Sequence, residues 1–339
     1  MRSTQVYAIT RAPGLGALEV RTSDIPEPGA GQVRVRVETA GVSYGDLLFQ
    51  RGVVPGGPKI PFVPGCDLTG TVESVGAGVA GLEPGQRVTA LVVSDGYSSL
   101  VNLPAERLVP VPDGLDPVDV AAVTLNYFIA YQMLHRVAKV RSGQRIVVHG
   151  ASGGVGLAFL QLAEQIGGVQ VYGSASASNA GLVSLYGATP IDYRAEDFVN
   201  VVNDSGGKVD AVFDPIGGTH FLRSYSLLRR GGHMVAYGQN DALRNGKPHL
   251  LTGAIGFLAG IVAPKLLPDG RTALFYNAWA LEKSQPQAYQ EDLGEVLALR
   301  AAEKIAPRSV TVLSLREAEK AFEAIEEGVL GKIVLDARE

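Results

Sequence analysis

The residues whose spacing most clearly predicts chemistry lie in RIVVHGASGGVGLAFLQLA, residues 145–163. The segment opens with an apolar run typical of a buried parallel strand, and apolar residues from Val155 onward recur at helical spacing. Between these parts, Gly153 would let the backbone approach a pyrophosphate, and Gly156 would let the helix pack against the strand. Gly154 would begin a helix whose first free amides face the phosphates, so the predicted cofactor contacts of this turn are Gly153, Gly154, Val155 and Gly156. The order of strand, glycine-rich turn and helix therefore predicts a dinucleotide site.

The same turn also fits G-x-S-x-G, the nucleophile elbow of α/β-hydrolases, with Ser152 as the nucleophile. That triad needs an acid and then a histidine after the serine, yet the last histidine, His249, lies well before the end of the chain. Chain order therefore favours the dinucleotide interpretation. Ala151 departs from it, because this residue stands where the strict G-x-G-x-x-G fingerprint has its first glycine.

Composition limits the class of protein. A chain of 339 residues has room for about two domains, and its 46% hydrophobic content argues against disorder despite 42 glycines and 19 prolines. The net charge of -4, without a basic run, gives no electrostatic footprint for nucleic acid. The single cysteine, Cys66, cannot form an internal disulfide, which fits a reducing compartment. The first residues lack the apolar core of a signal peptide, so we expect a cytoplasmic location.

The most apolar segment is LLTGAIGFLAGIVAPKLL, residues 250–267. Gly253, Gly256, Gly260 and Pro264 interrupt it, so we do not expect a membrane-spanning helix. The segment instead predicts a helix that covers an apolar pocket or contacts another subunit.

Two kinds of periodicity divide the chain. The first 120 residues hold short β-type runs separated by prolines and glycines, which is typical of an antiparallel, partly closed β domain. Strand and helix patterns then alternate, which predicts a doubly wound parallel α/β domain. Strand-like runs at 310–313 and 332–335 return to the first domain. We therefore predict one domain from residues 1–122 and 305–339 and a second from residues 123–304.

Longer strings resemble the medium-chain dehydrogenase/reductase superfamily over nearly the whole chain. AGVSYGDLLFQRG (40–52), PFVPGCDLTGTVESVG (61–76) and VVHGASGGVG (147–156) are similar to its zinc-free quinone oxidoreductase family. Residues 172–198 and 212–238 are similar to the VAT-1-like subgroup. The resemblance implies a GroES-like β-barrel domain for substrate, a Rossmann domain for NADP(H), and a homodimer.

Zinc is not expected. In zinc-dependent relatives a cysteine stands at Ser43, and a histidine and an acid stand at Cys66 and Asp67. Because catalytic zinc takes three protein ligands, these residues predict no metal site. The five histidines show no metal-ligand spacing in the sequence, and we interpret His149 as a hydrogen-bonded structural residue.

The cofactor choice depends on the end of the second α/β strand. An NAD site places a carboxylate there, but this chain has Gly173-Ser174-Ala175-Ser176. Without an acid to repel a 2′-phosphate, and with the hydroxyls of Ser174 and Ser176, NADPH is the predicted cofactor. The resemblance adds Tyr193 as a phosphate partner and places Asn179 where relatives carry a lysine. Alternatively, the serines only form a turn.

The resemblance implies hydride transfer to the β-carbon of a conjugated carbonyl or to a quinone. Tyr44 is the candidate donor, because a phenol can hydrogen-bond a carbonyl and supply a proton; alternatively, it only packs the cleft. Asn126 could hold the carboxamide or a substrate oxygen, or make a local turn bond. Further cofactor contacts are implied at residues of both domains: Ser43, Gly217, Tyr237, Gly238, Phe275, Asn277 and Lys332.

These observations predict a zinc-independent, NADPH-dependent reductase of quinones or α,β-unsaturated carbonyls, acting on a small molecule. One alternative keeps the hydride geometry and changes the substrate: an enoyl-thioester reductase or a pathway-specific enone reductase. Another belongs to a different class, a cofactor-binding protein that interacts with a membrane or a partner. The apolar segment 250–267 is the feature that favours this last alternative.

Overall fold

The computed structural model describes residues 3–13, 16–52, 54, 56–240, 243–244, 247–248, 250–328 and 330–338. The chain forms two units, Met1–Phe128 with Gln287–Glu339, called unit 1, and Ile129–Pro286, called unit 2. Strands and helices are numbered in chain order.

Unit 1 is built mainly from β-strands, as its short alternating runs predict. Its strands are β1 (Ser3–Thr10), β2 (Leu18–Ile25), β3 (Gln32–Val42), β4 (Asp67–Val75), β5 (Arg87–Leu91), β6 (Leu100–Pro104), β7 (Val109–Pro110), β16 (Val310–Ser314) and β17 (Lys332–Asp336). Its helices are α1 (Tyr44–Gln50), α9 (Pro286–Ala301) and α10 (Ala318–Glu326), and α2 (Pro117–Tyr131) crosses the border between the units.

One seven-stranded sheet organises unit 1. The strand order is β16, β17, β3, β4, β5, β7, and β6 also pairs with β3. The long strand β3 pairs antiparallel with β4, β6 and β17, so the last strand of the chain joins the first domain as its sequence pattern predicts. Val33, Val35 and Val37 of β3 are buried in a core that also contains Phe322 of α10.

Helix α9 belongs to unit 1 through its contacts. The hydroxyl of Tyr289 accepts from the backbone N–H of Leu91 at 2.9 Å and donates to the carbonyl of Arg107 at 2.9 Å. Arg300 pairs with Asp119 of α2. The border between the units therefore falls at 286/287, at the first residue of this helix, whereas the sequence pattern predicts a boundary at 304/305.

Unit 2 alternates strands and helices. Its strands are β8 (Arg145–His149), β9 (Gln170–Ala175), β10 (Thr189–Asp192), β11 (Val209–Asp214), β12 (Leu228–Ala236), β13 (Leu243–Arg244), β14 (Lys247–Pro248) and β15 (Thr272–Phe275). Its helices are α3 (Gly154–Ile166), α4 (Ala180–Leu185), α5 (Phe198–Asp204), α6 (His220–Ser226), α7 (Leu250–Phe257) and α8 (Ala278–Ser284).

Six of these strands form a parallel sheet in the order β10, β9, β8, β11, β12, β15. Ile146, Val147 and Val148 of β8 are fully buried, which explains their continuous apolar run. The strand order reverses between β8 and β11, and ligands of doubly wound sheets bind at the carboxyl ends of strands at such a switch point. The predicted α/β class is thus confirmed. The loops after β8, β9 and β11 lie where a ligand of such a sheet would bind.

Candidate functional site

The glycine-rich turn lies at the carboxyl end of β8, beside the switch point. Its Gly153 is exposed and extended, and α3 begins at the next residue without a side-chain cap. A Cβ on Gly156 would lie 2.2 Å from the carbonyl oxygen of Gly150 and 2.6 Å from the Cα of Ala151, so a side chain has no room there. The amides of the first helical turn therefore stay available to a phosphate, and the geometry fits a dinucleotide.

Ser152, the serine of the hydrolase alternative, is half-buried in this turn. Its Oγ accepts a hydrogen bond from Nδ2 of Asn179 at 3.3 Å. Within the described part of the chain no histidine is hydrogen bonded to Ser152, and His249 lies outside the described residues. The geometry gives Ser152 a partner that cannot act as its general base.

The two predicted serines at the end of β9, Ser174 within the strand and Ser176 after it, differ in exposure. Ser174 is buried at 6% exposure, and its Oγ lies 3.2 Å from the backbone nitrogen of Gly150 and 3.0 Å from Nδ1 of His149. Ser176 lies nearer the surface and bonds Ser178 at 3.0 Å between hydroxyls. The hydroxyl of Ser174 is therefore used inside the unit, whereas that of Ser176 can reach a ligand.

Tyr193, which follows β10, is 57% exposed. The guanidinium carbon of Arg194 lies 5.5 Å from the centre of its ring. Strand β10 is the neighbour of β9, so Tyr193 follows the same sheet edge as Ser176 and Asn179. This edge combines polar side chains with a positive charge, which suits a phosphate group.

A buried cluster of polar side chains lies beneath the glycine-rich turn. Nε2 of His149 lies 3.3 Å from the hydroxyl of Ser224, which lies 2.6 Å from Oδ2 of Asp214. Nδ1 of His220 lies 2.8 Å from the same carboxylate oxygen. The ligand atoms of both histidines and Asp214 lie within 4.8 Å of one another. The sequence showed no such proximity, because these residues come from separate strands and from α6.

The charges in this cluster follow from burial and hydrogen bonding. Burial lowers the pKa of His149 to about 3, so this imidazole is neutral near pH 7. Burial alone would raise the pKa of Asp214, but hydrogen bonds from His220 and Ser224 hold it below its usual value. The carboxylate is therefore ionised and accepts from both groups. The hydrogen bonds engage the same atoms that a metal would need, so the geometry favours a hydrogen-bonded network.

The remaining predicted cofactor positions of unit 2 follow β11, β12 and β15 at the same sheet edge. Gly217 and Gly238 lie in the loops after β11 and β12, and Tyr237 lies between Gly238 and the end of β12. Phe275, the last residue of β15, is 37% exposed. Asn277 caps α8, because its Oδ1 accepts from the backbone nitrogens of the second and third residues of that helix.

In unit 1 the start of α1 holds the predicted Ser43 and Tyr44. Ser43 caps the helix in a reciprocal arrangement with Asp46, whose carboxylate lies 2.9 Å from the backbone nitrogen and 2.7 Å from the Oγ of Ser43. Tyr44 is 37% exposed. Burial and the negative charge of Glu326 raise its pKa, so the phenol keeps its proton at neutral pH. Tyr44 can therefore donate a hydrogen bond or a proton.

Sequence reasoning did not single out Asp46, although the signal was present. A serine followed three residues later by an acid is a helix-capping pattern, and Ser43 and Asp46 match it. Ser224 carries no comparable sequence signal, because its role depends on the distant strands β8 and β11.

The predicted Asn126 is half-buried on α2.

Lys332, a predicted cofactor contact, lies at the start of β17 and is buried. Its Nζ lies 3.6 Å from Oδ2 of Asp67, which is also buried. Oδ1 of Asp67 accepts from the backbone nitrogen of Gly41 at 2.6 Å. Burial raises the pKa of Asp67, and Lys332 opposes that rise. Within unit 1, Lys332 thus serves as the partner of a buried carboxylate.

The residues at the zinc position do not fit a catalytic zinc ion. Ser43 is engaged in helix capping, and Asp67 is engaged with Lys332 and Gly41. Burial raises the pKa of the Cys66 thiol well above its usual value, so it is not a thiolate. Zinc sites use thiolate, imidazole and carboxylate ligands, and this set offers no assembled group of three.

The apolar segment forms α7 and a helical continuation through residue 266. A Cβ on Gly256 would lie 2.3 Å from Gly218, and one on Gly260 would lie 2.3 Å from Phe221, so its glycine face packs closely against the start of α6. The other face is a stripe of exposed side chains, called the leucine stripe: Leu251, Ile255, Leu258, Val262 and Leu266. Searched over the described residues, no helix reaches the length and apolarity needed to cross a membrane.

Comparisons with known proteins agree with this architecture. Residues 29–113 match the alcohol dehydrogenase GroES-like domain, and residues 186–335 match the zinc-binding dehydrogenase family. The synaptic vesicle membrane protein VAT-1 homolog of Rattus norvegicus is 32% identical over 323 residues, which cover 94% of this chain and 80% of the relative.

Two solved structures are similar over almost their whole length. The human synaptic vesicle membrane protein VAT-1 homolog-like protein has a TM-score of 0.82 and 27% identity, covering 99% of each chain. A quinone oxidoreductase of Pseudomonas syringae pv. tomato DC3000 has a TM-score of 0.84 and 25% identity, covering 99% of this chain and 100% of the other. By its sequence and its fold, the chain belongs to the medium-chain dehydrogenase/reductase superfamily, among the homologues of VAT-1.

Proposed function

We propose that this protein is a zinc-independent reductase that uses NADPH to reduce quinones or α,β-unsaturated carbonyls. The cofactor proposal rests on the absence of a carboxylate at the end of β9. Residues 173–179 contain no carboxylate that would repel a 2′-phosphate, and Ser176, Asn179 and the nearby Tyr193 offer polar atoms at this sheet edge. When bound, a reduced nicotinamide supplies a hydride to an electron-poor carbon.

Unit 1 supplies the candidate proton donor. Tyr44 is partly exposed and protonated, so its phenol can hydrogen-bond a substrate oxygen that gains negative charge. The capping pair Ser43 and Asp46 fixes the start of the helix that carries it. The donor set at Ser43, Cys66 and Asp67 does not fit zinc, which supports chemistry without a metal Lewis acid. We propose Asn126 as a further hydrogen-bonding group.

A substrate panel tests this proposal. Purified protein is mixed with NADPH or NADH and with quinones, enones or enoyl thioesters, in the presence and absence of a zinc chelator, while absorbance at the nicotinamide band is followed. We expect turnover of quinones or enones, faster with NADPH, and no effect of the chelator. Preferred turnover of enoyl thioesters would support that alternative substrate class. Absence of NADPH oxidation with every acceptor would contradict the proposed reductase.

The role of Tyr44 is tested by Tyr44→Phe. Removal of the phenol proton should lower kcat by about 100-fold, the lower end for general acid catalysis, with little change in NADPH affinity. Tyr193→Phe is the comparison, because loss of its exposed hydroxyl should weaken NADPH binding and leave kcat nearly unchanged. Steady-state kinetics and binding titrations measure both effects. Full turnover by Tyr44→Phe would remove its acid role.

The leucine stripe favours a second candidate function, interaction with a membrane surface or a protein partner. Sedimentation with liposomes, beside the variant Leu251→Asp, tests the membrane form of this hypothesis, because a charge on the stripe should abolish binding. Clear liposome binding without turnover of any acceptor would favour this candidate over the reductase.

We also propose a homodimer and a cytoplasmic location. Light scattering after size-exclusion chromatography tests the oligomeric state, and cell fractionation tests the location.

A further inference from the structure

An unbroken line of hydrogen bonds joins the glycine-rich turn to the end of β11. It runs from the backbone nitrogen of Gly150 to Ser174, then to His149, Ser224 and Asp214, with successive distances of 3.2, 3.0, 3.3 and 2.6 Å. All four side chains are at least nine-tenths buried. The line therefore links three neighbouring strands beneath the turn that we propose binds the dinucleotide.

The direction of each hydrogen bond in this line follows from the charge of Asp214, its last residue. An ionised Asp214 can only accept, so the hydroxyl of Ser224 donates its single proton to that carboxylate. Ser224 can then only accept from His149, which requires a proton on Nε2. A neutral imidazole protonated at Nε2 has an unprotonated Nδ1.

The same argument gives the direction of the hydrogen bonds of Ser174. Because Nδ1 of His149 is an acceptor, the hydroxyl of Ser174 donates to it. The oxygen of Ser174 then accepts from the backbone N–H of Gly150, the first residue of the turn. The one hydroxyl proton of Ser174 is thus committed inside the unit and cannot be donated to a phosphate.

We propose that His149 and Ser174 are positioning residues, which hold the glycine-rich turn in its binding shape, and that Ser174 does not bind the 2′-phosphate. The inference rests on the proposed use of a nicotinamide dinucleotide. It assigns discrimination between NADPH and NADH to three other side chains at the same sheet edge, the half-buried Ser176 and Asn179 and the exposed Tyr193. Ser174 and Ser176, two residues apart on the chain, then have different effects on the two dinucleotides.

The test compares Ser174→Ala with the matched control Ser176→Ala. Dissociation constants for NADPH and NADH are measured by fluorescence titration for the wild type and both variants. Ser174→Ala should weaken both dinucleotides by the same factor, about fivefold to tenfold, since it loosens the turn beneath their common pyrophosphate. Ser176→Ala should weaken NADPH more than NADH. A loss confined to NADPH in Ser174→Ala, or unchanged affinity for both, would overturn the proposal.

A second measurement uses the unmodified protein, so it holds even where Ser174→Ala fails to fold. Nitrogen-15 NMR of the histidine side chains reports which ring nitrogen of His149 carries the proton, with His149→Gln used to assign the signal. We expect the Nε2-protonated tautomer, and protonation at Nδ1 would contradict the line of hydrogen bonds. A wild type that binds both dinucleotides but reduces no acceptor would contradict the proposed reductase and leave this inference standing.

Discussion

Each unit buries a polar cluster beside the residues proposed to act, and the two clusters are built differently. In unit 2 the line from Gly150 to Asp214 gives each hydrogen-bond donor an acceptor. In unit 1 the side chains of Asp67 and Lys332 attract each other at 3.6 Å, but Oδ2 and Nζ have no hydrogen-bond partner among the described residues. One cluster is held by directed hydrogen bonds, and the other by opposite charges.

Because the two clusters are held differently, substitutions in them should lower the stability of the protein by different amounts. A buried charge pair repays its desolvation only while both charges are present, so removal of one partner is costly and removal of both is not. A satisfied network of hydrogen bonds loses about the value of the bonds that are broken. Substitutions in the two units should therefore separate in size and in their dependence on pH.

The largest effect is expected for Lys332→Met. This variant leaves Asp67 buried without a counter-charge and should lower the free energy of unfolding by about 3–5 kcal/mol. The double variant Asp67→Asn with Lys332→Met keeps an acceptor for Gly41 and removes both charges, so it should recover most of the loss. Urea unfolding followed by circular dichroism measures both. Equal losses in the single and the double variant would mean that the charges do not stabilise each other.

The stability of these two variants should also depend differently on pH. Burial raises the folded-state pKa of Asp67, and removal of Lys332 raises it further, so the folded Lys332→Met protein binds this proton more readily than the unfolded chain. Its stability should therefore decrease as the pH rises through the folded-state pKa and increase as the pH falls through it toward the lower pKa of the unfolded chain. The double variant lacks this carboxyl and should show a smaller gain. Parallel stability curves for the two variants would contradict the assignment.

A smaller effect is expected for Asp214→Asn in unit 2. The variant keeps one acceptor oxygen but loses the charge that strengthens the bonds from His220 and Ser224, so we expect a loss of about 1–3 kcal/mol. The exposed Asp204→Asn on α5 is the control and should change stability by less than about 0.5 kcal/mol. The two variants are compared by urea unfolding at pH 7. A loss in Asp214→Asn no larger than in the control would mean that the carboxylate does not anchor the network.

The smallest effects come from two buried tyrosines, one in each unit. The hydroxyl of Tyr172 accepts from Arg145 and from Gln170, each at 2.8 Å, whereas that of Tyr97 has no hydrogen-bond partner in the described part of the chain. Tyr172→Phe should cost about 1–2 kcal/mol, and Tyr97→Phe should change stability by less than about 0.5 kcal/mol. Thermal or urea unfolding resolves the difference. A larger loss in Tyr97→Phe than in Tyr172→Phe would mean that the hydrogen bonds of Tyr172 do not stabilise unit 2.

Local patterns predicted much of the fold. The apolar run before Gly150, the glycine spacing and the helical period after Val155 identified β8, the turn and α3, because each signal comes from neighbouring residues. The return of the strand-like runs at 310–313 and 332–335 to the first domain was also predicted from their pattern, whereas the pairing of β17 with β3 was not. The β-type runs predicted in the first 120 residues were 5–9, 33–38, 68–75, 87–93 and 108–110, so the strands β2 and β6 were missed. In β2 most of the side chains are exposed and the alternation is weak.

The candidate site was less predictable, because its important contacts join distant residues. The sequence pattern after the second α/β strand identified Ser174, and the family resemblance identified Lys332, as candidate cofactor contacts, but neither gave the direction of the side chain. Ser174 bonds inward because its hydroxyl meets His149 and the backbone nitrogen of Gly150, and Lys332 of β17 pairs with Asp67 of β4 although β3 lies between these strands. Such partners become visible only when the sheet brings the strands together.

The most direct test of the central claim follows the transferred hydrogen. NADPH carrying deuterium at one face of nicotinamide carbon 4, and then at the other, is supplied to the protein with an α,β-unsaturated ketone, and the product is analysed by NMR and mass spectrometry. The proposed function predicts deuterium on the β-carbon of the product from one labelled face only. Absence of deuterium in the product from either form would contradict hydride transfer by this protein.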